Sequence, residues 1–186
     1  MYKQLDEQEL ARYCSERDRL AEDELYRRYA AKVNMLCCRY TDNAEDAEDL
    51  MQDAIIKALD KISTFAYSGK GSLYAWIKRI AVNMAIDRIR RKRIRIVPLD
   101  TWAHDSIPEP TEQEMAVVPE DRLMEWISGL PDLRRAVFNM YCIDGYSHKE
   151  IAQMLKISEK GSAGVLAKAR KQLKEEIRRY LKEQDK

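Results

Sequence analysis

Apolar residues recur along this chain at steps of three and four, the period of an α-helix with one buried face. Leu5, Leu10 and Cys14 predict a short first helix over residues 4–16. Leu25, Tyr29, Val33 and Leu36 predict a second over residues 19–40. Asp42 and Asn43 are candidate caps for a third, whose expected apolar face is Ala47, Leu50, Met51, Ala54, Ile55, Ala58, Leu59 and Ile62. Glu45, Asp46, Glu48 and Asp49 crowd its first turns, where the helix dipole favours negative charge. The pattern breaks between Ser63 and Ser72, where Ser68, Gly69 and Gly71 supply turn chemistry. A fourth helix follows from Ser72 to Arg93, with Leu73, Trp76, Ile77, Ile80 and Met84 as its expected buried stripe.

A stretch carrying Pro98, Pro108, Pro110 and Pro119 shows no sustained period. Helical spacing then resumes over residues 120–128, and again from Leu130-Pro131 to Ile143, with Pro131 expected in the first turn. Asp144-Gly145 ends that helix. Ser147 and Glu150 form a capping box for another helix ending near Leu155, and Ser158 caps a last long helix to Tyr180. The expected architecture is all-α: two small helical domains, 1–95 and 120–186, joined by a Pro-containing linker at 96–119. The small number of Gly and Pro, six and five in 186 residues, agrees with it.

Charge changes the picture. The formal net charge is only +1, yet it is segregated. Eight Lys and Arg lie between Lys78 and Arg95 against the single acid Asp87, and eight more between Lys156 and Arg179 against three acids. Between Pro98 and Asp121 stand seven acids and no Lys or Arg. Two basic regions joined by an acidic strap can bind a polyanion at near-zero total charge.

Enzymatic chemistry finds little to work with. The histidines are His104, in the expected linker, and His148, in the capping box. Zinc-protease, phosphate-loop and nucleophile-elbow motifs are absent, so neither a catalytic residue, a metal nor a cofactor is expected, and no small-molecule substrate. Cys14, Cys37, Cys38 and Cys142 lack CxxC spacing and read as buried thiols of a reducing cytoplasm. The first residues lack a secretory pattern and no apolar run has the length of a membrane span, so a cytoplasmic protein without membrane insertion is expected.

Two segments suit nucleic acid. GYSHKEIAQMLKISEKGSAGVLAKARKQL has the layout of a helix-turn-helix: Ile151, Ala152 and Leu155 inward, a tight Lys156-Ile157-Ser158 turn, then a basic helix whose first turn can enter a groove. The same spacing would also serve a helical hairpin. In the fourth helix, six bases crowd into Arg88 to Arg95 just after Tyr74 and Trp76, which suits phosphate contact and base stacking. Trp76 fits two positions, in the core by its spacing with Leu73 and Ile80, or beside the Gly loop as a stacking platform.

The run from Asp42 to Arg93, containing AEDLMQDAIIKAL and LYAWIKRIAVNMAIDRIRR, resembles region 2 of bacterial RNA polymerase sigma factors, and LPDLRRAVFNMYCIDGYSHKEIAQML resembles their region 4. The likeness is to the small extracytoplasmic-function group. It implies a promoter-specific initiation factor whose partners are core RNA polymerase, promoter DNA and an anti-sigma factor. On that pattern Asp49, Leu50, Gln52, Asp53 and Lys57 dock on the polymerase. Phe65, Trp76, Lys78, Arg79 and Asn83 capture bases of the melted downstream element; Arg88 and Arg91 are expected on phosphates from the basic clustering alone. From their charge and place on the last helix, not from that pattern, Lys160, Lys168 and Arg170 are expected on phosphates of the upstream element, with Ser162 also at that contact. The chain departs from the pattern twice. The loop from Phe65 to Trp76 is longer, and Gly161-Ser162-Ala163-Gly164-Val165 stands where a polar or basic run is usual. Two rivals remain at this level: a helix-turn-helix repressor or activator with a helical effector domain, and an adaptor that binds only proteins.

Overall fold

The computed structural model describes residues 2–94 and 118–184. Among these residues every regular element is helical, and the chain divides into two compact units, Met1–Asp87 and Arg88–Lys186. Residues 95–117, which hold most of the expected acidic linker and His104, lie outside the described residues.

A short 3-10 turn, Tyr2–Gln4, precedes α1 (Glu7–Ser15), which opens on a capping box between Asp6 and Glu9. Helix α2 (Arg19–Cys38) is capped by Asp18, whose carboxylate accepts from the Leu20 and Ala21 amides. The Tyr2 hydroxyl also donates to Asp18 at 2.7 Å, and this bond, with the Ala21 amide, holds the carboxyl below its ordinary range. Helix α3 (Ala44–Lys61) starts from Asn43, which accepts the Asp46 amide at 2.8 Å. A 3-10 turn (Ile62–Thr64) and a loop lead into α4 (Ser72–Ile94).

The core of the first unit follows from these faces. Leu10 and Cys14 of α1, Leu25, Tyr29, Val33 and Leu36 of α2, and Ala47, Leu50, Ala54, Ile55 and Ala58 of α3 are all buried. Helix α3 packs along α2, and α1 lies against α2 and the 3-10 turn that follows α3. Leu5 and Leu59, both expected inward, are half-buried at the margin. Arg28 ties the chain start to α2. It binds Glu24 at 2.8 Å and donates to the Leu5 and Tyr2 carbonyls, and its guanidinium holds the Glu24 carboxyl below the usual range.

The buried band of α4 differs from the expected stripe. Leu73, Ile77, Ala81, Val82, Ala85, Ile86 and Ile89 are buried, whereas Trp76, Ile80 and Met84 are half-buried. Steps of four residues advance the buried side by about 40° each, because an α-helix turns about 100° per residue. The band therefore spirals around α4 instead of running straight along it.

The second unit contains α5 (Glu120–Ser128), α6 (Asp132–Phe138), α7 (His148–Leu155) and α8 (Glu159–Gln184). Pro131 stands one residue before α6 in an extended conformation, so it precedes the helix instead of lying in its first turn. The helix expected to run on to Ile143 widens into a π-turn over Asn139–Ile143. Ile127, Leu130, Ala169 and Leu173 form a core against which Leu123, Trp126 and Phe138 pack. Val137, Met140, Ile151, Leu155, Val165 and Leu166 are buried as well.

None of the four cysteines is in a disulfide. Cys14 and Cys37 are buried, and burial pushes the Cys14 thiol up to about 12. Cys38 and Cys142 are exposed, contrary to the expectation of buried thiols. For Cys38 the cause is the turn of about 100° between neighbours, which sends one side chain in and the next out. Among the described residues no helix is long and apolar enough to cross a membrane, and no cluster of His, Cys, Asp and Glu could hold a metal ion.

Candidate nucleic-acid and partner-binding faces

Three surfaces carry the residues singled out in the sequence. The first is the outer side of α3. Asp49, Gln52, Asp53 and Lys57 are exposed on it, one turn after another. Ile56, an apolar residue that falls outside the buried period, stands 60% exposed in their midst. The periodicity carried this signal, since only one of the adjacent pair Ile55 and Ile56 can face the core. Leu50 corrects the expectation. It is 0% exposed, so it cannot touch a partner from this position; it supports the face from beneath.

The second surface is the loop before α4 and the first half of that helix. Gly69 and Gly71 adopt φ of 123° and 91°, a region in which a side chain would be strained, with open space where a Cβ would stand. Phe65 and Trp76 close the loop at its base. Their rings lie 5.6 Å apart at 57°, and both are half-buried, so Trp76 is packed on Phe65 and still partly open to solvent. Tyr67 projects from the loop and is 42% exposed.

On α4, Trp76, Arg79, Ile80 and Asn83 fall on one side, and Arg79 and Asn83 are exposed. Arg91 lies at the edge of this side. Lys78 and Arg88 point around the opposite side and are half-buried, so the structure does not bring them to Asn83.

A residue that sequence reasoning missed holds this surface in place. The Glu7 carboxylate accepts the Gly71 amide at 2.9 Å and the Leu73 amide at 3.1 Å through one oxygen, and the Tyr29 hydroxyl at 3.0 Å through the other. Tyr29 in turn stacks on Tyr74, with centroids 6.1 Å apart at 15°.

The third surface is the α7–α8 pair. Lys156 ends α7 in the left-handed conformation, φ 53° and ψ 52°, which turns the chain sharply toward α8. Ser158 caps α8 by accepting the Gly161 amide at 2.9 Å. Ser162 is 0% exposed, and its Oγ lies 2.9 Å from His148 Nδ1. The contact with the upstream element expected of Ser162 is therefore corrected: its hydroxyl joins the two helices and is closed to a groove. His148 stacks on Tyr141 with centroids 4.4 Å apart, and the Arg170 guanidinium sits 6.0 Å above that Tyr ring. The outward face of α8 carries exposed Lys160, Ala163 and Ala167, with Lys171, a base not singled out from sequence, half-buried one turn on. Lys168 and Arg170 are half-buried at its flanks.

Residues 25–95 match the family described as Sigma-70 region 2, and residues 120–173 match Sigma-70, region 4. The chain is 31% identical over 157 residues to the ECF RNA polymerase sigma factor SigM of Mycobacterium tuberculosis, covering 84% of this chain and 76% of that one. It is 33% identical over 140 residues to the ECF RNA polymerase sigma factor SigW of Bacillus subtilis, covering 69% and 74%. Among solved structures it is similar in fold to the sigma factor RpoE of Bartonella quintana in complex with the anti-sigma factor NepR. The TM-score is 0.50 and the identity 16%, covering 82% of this chain and 94% of that one.

Proposed function

Since this chain belongs to the sigma-70 family, in its extracytoplasmic-function group, we propose that it selects promoters by two separate readings, one of duplex and one of melted DNA. Members of the family bind core RNA polymerase and direct it to promoters without catalysing a reaction themselves. In the proposed division of labour, domain 1–95 docks on the polymerase through Asp49, Gln52, Asp53 and Lys57, with Ile56 at the centre of the contact. The Phe65–Gly71 loop, Trp76, Arg79 and Asn83 take up unpaired bases of the downstream element, and domain 120–186 holds the upstream element as duplex. The segment 96–119 joins them. Partners are core polymerase, promoter DNA and, on the family's pattern, an anti-sigma factor. The proposed site of action is the cytoplasm.

One observation carries the melted-strand reading. A paired Phe65 and Trp76 at the base of a glycine loop share a helix side with exposed Arg79 and Asn83. Aromatic faces accept an unstacked base, at about 1–3 kcal/mol per base, and Asn supplies both a donor and an acceptor for its edge. Binding energy that exists only with unpaired bases shifts the promoter toward its open form. Reconstituted transcription with core polymerase and a genomic promoter library is the direct test. On a promoter so obtained, Phe65→Ala and Asn83→Ala are expected to reduce open complexes by about tenfold each while closed-complex binding is kept. Equal loss in both complexes, or in neither, would count against base capture.

The upstream reading rests on backbone approach and phosphate contact. Ala163 and Ala167 leave little side chain between α8 and a groove, and an Ala methyl can meet a thymine methyl. Lys160, Lys168, Arg170 and Lys171 supply positive charge around them. Lys160→Ala is expected to weaken binding across many upstream sequences and to lower the salt slope by about one. Ser162→Ala should leave base preference unchanged and lower stability by about 1 kcal/mol through the lost bond to His148. A base-by-base promoter scan altered sharply by Ser162→Ala would reverse that assignment.

A further inference from the structure

We propose that Glu7 is a positioning residue for the strand-capturing loop, acting from α1, outside both matched family segments. This rests on the reading of that loop given above. The first amides of an α-helix have no partner within the helix, and the helix dipole favours a negative charge beside them. At the start of α4 the carboxylate that meets them is not local: Glu7 lies more than sixty residues earlier and takes both the Gly71 and the Leu73 amide. Gly71, with φ of 91° and open space around its Cα, has no side chain by which the loop could be held. Local bonds cross the loop, from the Ser68 amide to Ser72 Oγ at 3.4 Å and from the Ser72 amide to the Gly69 carbonyl at 3.1 Å, but the link from Gly71 to α1 and α2 is Glu7.

The other end of the tether is itself fixed. Glu7 is the first residue of α1, set by the Asp6–Glu9 capping box. Its second oxygen accepts from Tyr29, which is buried in α2 and stacks on Tyr74 of α4. Burial, and then the bond to Glu7, push the Tyr29 hydroxyl above its ordinary pKa, so it remains a donor. One carboxylate thus joins α1, α2 and the loop one turn before Trp76. Removing it leaves α4 anchored by its buried band from Leu73 onward but releases Gly71 and the loop behind it. Core-polymerase docking, which uses the outer side of α3, is untouched.

The full chain with core polymerase tests this, on a promoter selected by the reconstituted transcription above. Glu7→Ala is expected to speed amide exchange at Gly71 and Leu73 and to reduce open complexes by about tenfold, the order expected for hydrogen bonds to a charged group, with core affinity unchanged. Glu7→Gln retains an oxygen acceptor and should fall between wild type and Ala in both measurements. Phe65→Ala, run in parallel, reports on base capture itself. If Phe65→Ala leaves open complexes intact, the base-capture reading fails, while amide exchange in the Glu7 variants still judges the tether. If Phe65→Ala is impaired but Glu7→Ala and Glu7→Gln keep wild-type open complexes and protected Gly71 and Leu73 amides, the positioning role is overturned. Loss of core affinity equal to the loss of open complexes in Glu7→Gln overturns it too, since that marks a general weakening of the fold.

Discussion

Lysine in place of both Asp49 and Asp53 is expected to weaken binding to core RNA polymerase by about 100-fold, ~2.7 kcal/mol, while the protein stays folded with its helix content kept. Both carboxylates are exposed on the outer side of α3, so the fold does not depend on burying them. A single exposed ion pair contributes only about 0.2–1 kcal/mol, which alone would not give such a loss. Reversal does more than delete. In the proposed contact it would set two lysines against a surface complementary to two carboxylates, and like charges facing each other across an interface cost several kcal/mol. Ile56, half-way along the same side, supplies apolar area that the rim charges surround. Titration of labelled core polymerase with the double variant, beside circular dichroism of the free protein, makes the comparison. Wild-type affinity would remove α3 from the interface.

Leu50→Ala separates holding a surface from forming one. Leu50 is fully buried among α3's inward residues, and truncating such a side chain removes its transfer energy and leaves a cavity. The expected cost is about 2–5 kcal/mol. In a unit of this size each kcal/mol lowers the melting temperature by about 4–8 °C, so the variant should melt well below wild type. At a temperature where it remains folded, its affinity for core polymerase should equal that of wild type. A variant that kept its melting temperature but lost affinity would return Leu50 to the contact surface.

Leu50 and Ser162, both expected at a contact and both buried, share a cause. A motif match marks positions that go together with a function, and it does not distinguish a side chain that touches the partner from one that seats its neighbours. Leu50 sits between Asp49 and Gln52 in the motif but points about 100° away from Asp49, into the core. Ser162 is the second residue of the run that would face DNA, yet the turn of α8 carries it toward His148. What local spacing controls was legible: the helices themselves, the Asn43 cap, the Ser147–Glu150 box, and the alternation of exposed and buried residues on α3. The spiral band on α4 was not, because a fixed stripe assumes a helix parallel to its neighbours throughout. Glu7 left no local trace at all, since its partners are defined only after the chain has folded back by the length of three helices.

The unequal exposure of the thiols has a practical outcome for spectroscopy. A maleimide reagent needs an accessible thiolate. Cys14, buried and with its thiol pushed to about 12, will not react while the fold holds, and Cys37 is shielded by the same core. Reaction is directed to Cys38 in the first unit and Cys142 in the second. The native sequence thus carries one attachment point for a fluorophore in each half. A donor and acceptor placed there would report, by energy transfer and without an engineered cysteine, how the separation of the halves responds as polymerase and promoter are added.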